Sequence, residues 1–316
     1  MKRKNNNLAF VFPGQGSQSV GMLSELAASY GEVKQTFERA SDALCYDLWA
    51  LVKSGPIEQL NQTQNTQPVM LAAGFAVWQV WCKQASIRPA WMAGHSLGEY
   101  TALVCSGALL FEDAIKLVAE RGRLMQIAVP EGIGAMAAIL GLEDQQVVNV
   151  CAEAAEQEVV AAVNFNAPGQ VVIAGHVAAV DRAIALAKAA GAKKAIALPV
   201  SVPSHCQLMA GAANQLAEKL LAVPINTPEI PVIHNVDICS HSVPAVIRTA
   251  LKEQLYKPVR WADSIQFMSD QGVEVFVECG PGKVLLGLNK RIVKTAEHLS
   301  IYDPATLNQI LEQLHG

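Results

Sequence analysis

Short apolar runs and longer apolar stretches alternate along the first part of this 316-residue chain. Residues 8–12 form a short apolar run closed by Pro13 and Gly14, which reads as a buried strand ending in a turn. Residues 68–84 stay apolar for longer than a strand does, so they read as a core helix. Gln79 and Lys83 interrupt them before the roughly 18 apolar residues that a membrane span needs. Residues 90–93 read as a brief buried strand, 97–107 as a helix rich in small residues, and 112–129 as an amphipathic helix. Strand and helix in alternation predict an α/β fold, with a parallel sheet covered by helices.

From about residue 131 the pattern changes. Strands are expected at 134–140, 159–164, 171–174 and 193–199, and helices at 143–157 and 177–190, with Ala167-Pro168-Gly169-Gln170 as a turn. That order, β-α-β-β-α-β, is ferredoxin-like. A helix at 207–221, strands at 230–235 and 273–277, and a helix from about Val284 then resume the first pattern. The expected division is a large domain of residues 1–130 and 200–316, with a ferredoxin-like small subdomain of residues 131–199 inserted into it.

Composition supports a well-filled core and argues against disorder, since 51% of residues are hydrophobic and 16% charged. A net charge of −4 gives no basic field to recruit nucleic acid. The Met1-Lys2-Arg3-Lys4 start is positive, but the apolar run after it is too short for a signal peptide. Seven widely spaced cysteines with no CxxC pair fit reduced thiols in a cytoplasm better than disulfides or a zinc site.

The chemistry centres on Gly94-His95-Ser96-Leu97-Gly98, a G-x-S-x-G pattern between an expected strand and an expected helix. A sharp strand-to-helix turn exposes the serine hydroxyl, and the glycines permit close backbone approach. The amide of Leu97, at the start of the helix, is the natural oxyanion donor. The alternative is an ordinary glycine-flanked turn. Phe12-Pro13-Gly14-Gln15-Gly16-Ser17-Gln18 is a second strand-to-loop junction. It fails as a dinucleotide fingerprint, because Ser19 stands where the third glycine belongs. The Gln15 amide is then a second oxyanion donor, or the loop is merely a turn.

Among the histidines, His205 in Val202-Pro203-Ser204-His205-Cys206 is the best candidate for a general base. It stands near a helix start, which favours neutral imidazole, with Ser204 as a candidate N-cap. His95 belongs to the elbow and orients it. His298 and His315 are expected to be exposed near the tail, and His176, His234 and His241 have no supporting context. No acidic residue stands out as a third triad member, and a Ser-His pair oriented by a backbone carbonyl suffices. Arg121 falls on the apolar stripe of Ala114, Val118 and Met125, at steps of four, three and four. An inward arginine needs an anion, either a structural carboxylate or one carried by the substrate.

Taken in order, several motifs resemble those of the malonyl-CoA:acyl carrier protein transacylases, the acyltransferase family of fatty acid and polyketide synthesis. They are Gly14-Gln15-Gly16-Ser17-Gln18, Gly94-His95-Ser96-Leu97-Gly98-Glu99-Tyr100, Arg121, Asn164-Phe165-Asn166-Ala167-Pro168-Gly169-Gln170, Pro203-Ser204-His205 and Gly280-Pro281-Gly282, between about residues 8 and 295. The resemblance implies a hydrolase-like α/β large domain with a ferredoxin-like small one. It implies Ser96 as nucleophile, His205 as base, and the Gln15 and Leu97 amides as oxyanion hole. It assigns Arg121 to the malonyl carboxylate. It also matches Gln254, in Gln254-Leu255-Tyr256-Lys257-Pro258, to the residue whose main-chain carbonyl orients the histidine.

The implied partners are malonyl-CoA and acyl carrier protein, with no metal or redox cofactor, no nucleic acid and no membrane. Ser204 is usual beside the histidine of stand-alone malonyl enzymes, and by itself does not exclude a branched acyl group. Carrier proteins of this pathway are acidic, so a local basic patch is expected. Lys283, Lys290 and Lys294 on one face of the expected helix after Gly282, or Lys193 and Lys194, are candidates, as are plain solvated faces. Two rival readings remain: a serine esterase or thioesterase that hands the acyl group to water, and a non-catalytic carrier-protein binding subunit.

Overall fold

The computed structural model describes residues 3–130, 132–200 and 202–315; Met1, Lys2, the expected boundary at Glu131 and the side chain of His315 lie outside the described set. Among the described residues nine strands occur, in chain order β1 (Arg3–Phe12), β2 (Ile87–Gly94), β3 (Gly134–Leu140), β4 (Val160–Ala167), β5 (Gln170–His176), β6 (Lys194–Ala197), β7 (Val232–Ile233), β8 (Val275–Cys279) and β9 (Glu297–Ile301). Five of them make a parallel sheet in the order β7-β2-β1-β8-β9. The apolar run Leu8–Phe12 is its centre, fully buried between helical layers, as a parallel strand covered on both faces must be.

The long helix Thr63–Gln84 covers that strand, with the Phe10 ring 5.5 Å from Trp78 and 5.1 Å from Trp81. It starts earlier than Pro68, where the sequence pattern began. Thr66 Oγ1 donates to Leu60 O at 2.6 Å and Asn65 Nδ2 to Gln59 O at 2.9 Å, and these bonds brace the turn ahead of the proline. Tight packing of Trp81 is fixed by its indole, which donates to Ile87 O at 3.1 Å.

The other four strands form an antiparallel sheet in the order β4-β5-β3-β6. Helices Asp144–Ala155 and Val177–Ala189 cover one face, over a core that includes Ile139, Val147, Val171, Ile173 and Val180. This is the ferredoxin-like arrangement. The opposite face carries Met136, Val163, Val172 and Ala174, which pack against Cys206 and so press on the loop beside His205. Strand β4 also reaches the larger sheet's side of the molecule, through Phe165 N to Val259 O at 3.0 Å and Val259 N to Val163 O at 2.8 Å.

Several expectations are corrected. The strand expected at 230–235 is only Val232–Ile233, because the chain turns at His234 to bond Cys239 and Ile238. The helix expected from 207 begins as a 3₁₀ turn, Gln207–Met209, and is α-helical only over Ala210–Ala222. Ser204 caps nothing; its hydroxyl donates to Val202 O at 3.4 Å. His298 is buried, not exposed. It lies on β9, stacked 5.5 Å from the Phe276 ring, with Nε2 bonded to Val293 O at 2.7 Å.

Candidate active site

Strand β2 ends at Gly94 and the helix Leu97–Cys105 begins three residues later, after His95 and Ser96. Ser96 sits between them at φ 51°, ψ −107°, a backbone conformation that costs a non-glycine residue on the order of 1–3 kcal/mol and recurs at functional sites. The turn needs both its glycines. A Cβ on Gly94 would come 1.9 Å from the Gly98 carbonyl carbon, and one on Gly98 would come 2.0 Å from Phe12 O. The elbow is also tied to strand β1, since His95 N donates to Phe12 O at 3.0 Å.

Ser96 Oγ lies 2.8 Å from His205 Nε2. His205 Nδ1 lies 2.6 Å from the main-chain carbonyl of Gln254, which can only accept. The proton therefore sits on Nδ1 and leaves the Nε2 lone pair facing the serine hydroxyl. Burial, then the nearby Arg121 guanidinium, push the His205 imidazole down to about 3, against the Gln254 carbonyl, which favours the charged form. The base is neutral at physiological pH.

Arg121 projects inward from the helix Phe111–Ala128 and is 1% exposed, on one stripe with buried Ala114, Val118 and Met125. Nη1 donates to Gln67 Oε1 at 2.8 Å, and Nη2 donates to Gln254 Oε1 at 2.9 Å and to Ser96 Oγ at 3.3 Å. The guanidinium carbon is 5.3 Å from the centre of the Tyr100 ring. All its hydrogen-bond partners among the described residues are neutral, and Nε has none. A structural carboxylate in direct contact, one of the two alternatives the sequence left open, is not what holds it.

Gln15 and Leu97 border the same cleft of about 890 Å³, as do Ser96, Arg121 and His205. Leu97 is the first residue of the elbow helix, so its N–H has no partner within the helix. The loop after β1 presses on the elbow, since a Cβ on Gly14 would come 2.4 Å from His95 O. His95 Nε2 is 2.8 Å from Asn166 Oδ1, which links the elbow to β4. Among the described residues, no group of three or more His, Cys, Asp and Glu is placed to hold a metal ion, and no helix is long and apolar enough to cross a membrane.

A model of the acyl transferase domain family matches residues 9–307. The chain belongs to that family. This acyl transferase is 57% identical over 305 residues to the malonyl CoA-acyl carrier protein transacylase of Salmonella typhimurium, over 96% of this chain and 99% of that relative. A crystal structure of an acyl carrier protein S-malonyltransferase from Vibrio cholerae matches it with a TM-score of 0.95 and 58% identity, over 96% of this chain and 100% of that one. A malonyl-transacylase solved in complex with its type II PKS acyl-carrier protein matches with a TM-score of 0.96 and 52% identity, over 98% of this chain and 100% of that one.

Other parts of the acyl transferase site were not legible beforehand. Gln67 and the side chain of Gln254 hold Arg121. Glu99, His234 and Asn235 form a buried polar group behind the elbow. One signal was available: Glu99 is the single charged residue in a helix otherwise made of small, apolar and hydroxyl residues. Of the candidate basic residues, Lys283, Lys290, Lys294, Lys193 and Lys194 are all exposed. Lys283 lies before the helix Val284–Ile292 and Lys294 past its end, so of the three only Lys290 is on the helix and the expected shared face does not form.

Proposed function

We propose that the protein transfers the malonyl group of malonyl-CoA to the phosphopantetheine thiol of an acyl carrier protein, through a malonyl ester on Ser96, in fatty acid biosynthesis. The observation that carries this reading is a buried guanidinium with no carboxylate partner among the described residues, 3.3 Å from a serine hydroxyl that is itself 2.8 Å from a neutral imidazole. A serine and a base suffice for acyl transfer in general. The cation beside them suits an acyl group that ends in a carboxylate.

In the forward half-reaction His205 Nε2 takes the Ser96 proton as Oγ attacks the thioester carbonyl. The tetrahedral oxyanion accepts hydrogen bonds from the Gln15 and Leu97 amides, one such donor being worth about 100- to 1,000-fold in rate. The intermediate collapses, the imidazolium gives its proton to the leaving thiolate, and coenzyme A departs. The malonyl ester remains on Ser96, its free carboxylate on Arg121. In the second half-reaction His205 takes the proton of the carrier-protein thiol, the thiolate attacks the ester, and the proton returns to Ser96 Oγ. The Gln254 main-chain carbonyl holds the imidazole in the required tautomer throughout.

These steps need no metal or redox cofactor, nucleic acid or membrane. Six cysteines, exposed Cys45 and Cys239 and buried Cys105, Cys151, Cys206 and Cys279, are in no disulfide, which supports a cytoplasmic location. The division into residues 1–130 with 200–316, and 131–199, is supported by the separate core of the antiparallel sheet.

Intact mass after brief incubation with malonyl-CoA, for wild type and Ser96→Ala, tests the reading. A malonyl adduct on wild type alone is expected. Coenzyme A release without any adduct would point to hydrolysis, and neither adduct nor release would sink the proposal.

A further inference from the structure

Behind the nucleophile lies a buried polar network that the steps above do not use. Glu99 stands three residues after Ser96, fully buried. Its carboxylate accepts three hydrogen bonds: Oε1 from His234 Nδ1 at 2.7 Å, and Oε2 from Asn235 N at 3.0 Å and from Gln254 Nε2 at 2.8 Å. His234 Nε2 is buried without a partner among the described residues. A second N–H there would be a buried donor left unsatisfied, so the ring donates from Nδ1 as a neutral imidazole and leaves the negative charge on Glu99.

Gln254 passes that charge onward. Its Nε2 faces Glu99 and also donates to Ser96 O at 2.9 Å, while its Oε1 accepts from Arg121 Nη2 at 2.9 Å. An ionised carboxylate can only accept, and a guanidinium can only donate. The amide between them therefore has one satisfied orientation, with NH₂ toward Glu99 and oxygen toward Arg121. Turning it over would set oxygen against oxygen at the Glu99 end and N–H against N–H at the Arg121 end.

We propose, on the basis of the function above, that Glu99 is a positioning residue for acyl-group selection, acting through the side chain of Gln254 on Arg121. Glu99 places a negative charge one amide away from the buried guanidinium. It balances that charge at rest without an ion pair that the substrate carboxylate would have to displace. It also aims the guanidinium at Ser96, where the carboxylate of a malonyl ester arrives. An alternative in which Glu99 only braces the elbow would slow the loading of every acyl group alike.

The test compares kcat/KM for acylation of Ser96 by malonyl-CoA and by acetyl-CoA in wild type, Glu99→Gln, Gln254→Met and the double variant. Glutamine at 99 removes the charge and the acceptor-only rule, and methionine at 254 removes the amide but keeps the main-chain carbonyl that holds His205. A hydrogen bond to a charged group is worth about 1.5–3 kcal/mol, so malonyl loading should fall about tenfold or more relative to acetyl loading in both single variants. The double variant should lose no more preference than Gln254→Met alone, because one chain of contacts is being broken twice.

Equal losses for the two substrates in Glu99→Gln, or additive losses of preference in the double variant, would overturn the proposal. If Glu99→Gln does not accumulate as folded protein, retained preference in Gln254→Met overturns it just as directly. A wild type that loads malonyl while the variants keep its preference removes this inference alone. A wild type that loads no malonyl group removes the proposed function with it.

Discussion

Replacing Arg121 with methionine removes the buried cation beside Ser96 and keeps most of the side-chain volume. Two opposing changes then act on stability. Gln67 Oε1 and Gln254 Oε1 lose their donors, at about 1–3 kcal/mol for each buried acceptor left unsatisfied. Against this, a buried charge whose desolvation costs several kcal/mol is gone. The two are of similar size, but the buried Glu99 carboxylate also loses the positive charge one amide away, so the variant should fold and melt below the wild type. Its chemistry should not survive equally. Truncating one partner of a buried, hydrogen-bonded charge pair costs about 2–5 kcal/mol, or about 30- to 5,000-fold in kcat/KM for malonyl-CoA. Acetyl-CoA has no carboxylate to lose a partner, so its acylation rate should change far less, and the ratio of the two rates should fall by most of that factor. Stopped-time mass measurement of the Ser96 adduct with each thioester reads the ratio. A folded Arg121→Met variant that still prefers malonyl by the wild-type factor would refute the assignment of Arg121 to the substrate carboxylate.

Two other outcomes follow from the same geometry. The His205 imidazole is pushed down to about 3 in the folded protein from an ordinary 6.5. The unfolded chain therefore binds one more proton between those values, and stability should rise with pH across that window and be lost as pH falls through it, at up to about 1.4 kcal/mol per pH unit. Urea unfolding of wild type and His205→Gln between pH 4 and 7 checks this, and identical pH slopes would count against it. Gly98→Ala would set a Cβ 2.0 Å from Phe12 O, a contact with backbone that cannot swing aside. It should cost about 1–3 kcal/mol or more and abolish Ser96 labelling; a normally labelled, normally stable variant would show that the elbow can relax.

The small sheet was the most legible part of the fold. Its strands and helices alternate at the right periods, and Ala167-Pro168-Gly169-Gln170 marks the β4–β5 hairpin with its own turn chemistry. The helices Ser24–Ser29, Leu48–Ser54 and Ile57–Leu60 were not, because so few residues cannot show a period; Gly31–Leu44 does carry one, with Val33, Thr36, Phe37 and Ala40 buried at helical spacing, and is absent from the expected elements. At the site, the elbow and the inward Arg121 stripe were readable because both are local patterns. The partners of Arg121 and Glu99 were not. Gln67, Gln254, His234 and Asn235 lie 54, 133, 135 and 136 residues from the groups they bond, and only packing brings them there. His298 misled for the related reason that a place near the chain end says nothing about burial once β9 joins the sheet.

The most direct test of the central claim is a single-turnover chase. Enzyme loaded with malonyl-CoA and freed of coenzyme A is mixed with holo-acyl carrier protein, and both proteins are followed by intact mass. The account predicts that the malonyl mass leaves Ser96 and appears on the carrier protein one for one, with a rate set by carrier concentration. Loss of the adduct at a rate independent of carrier, with free malonate as the product, would contradict it.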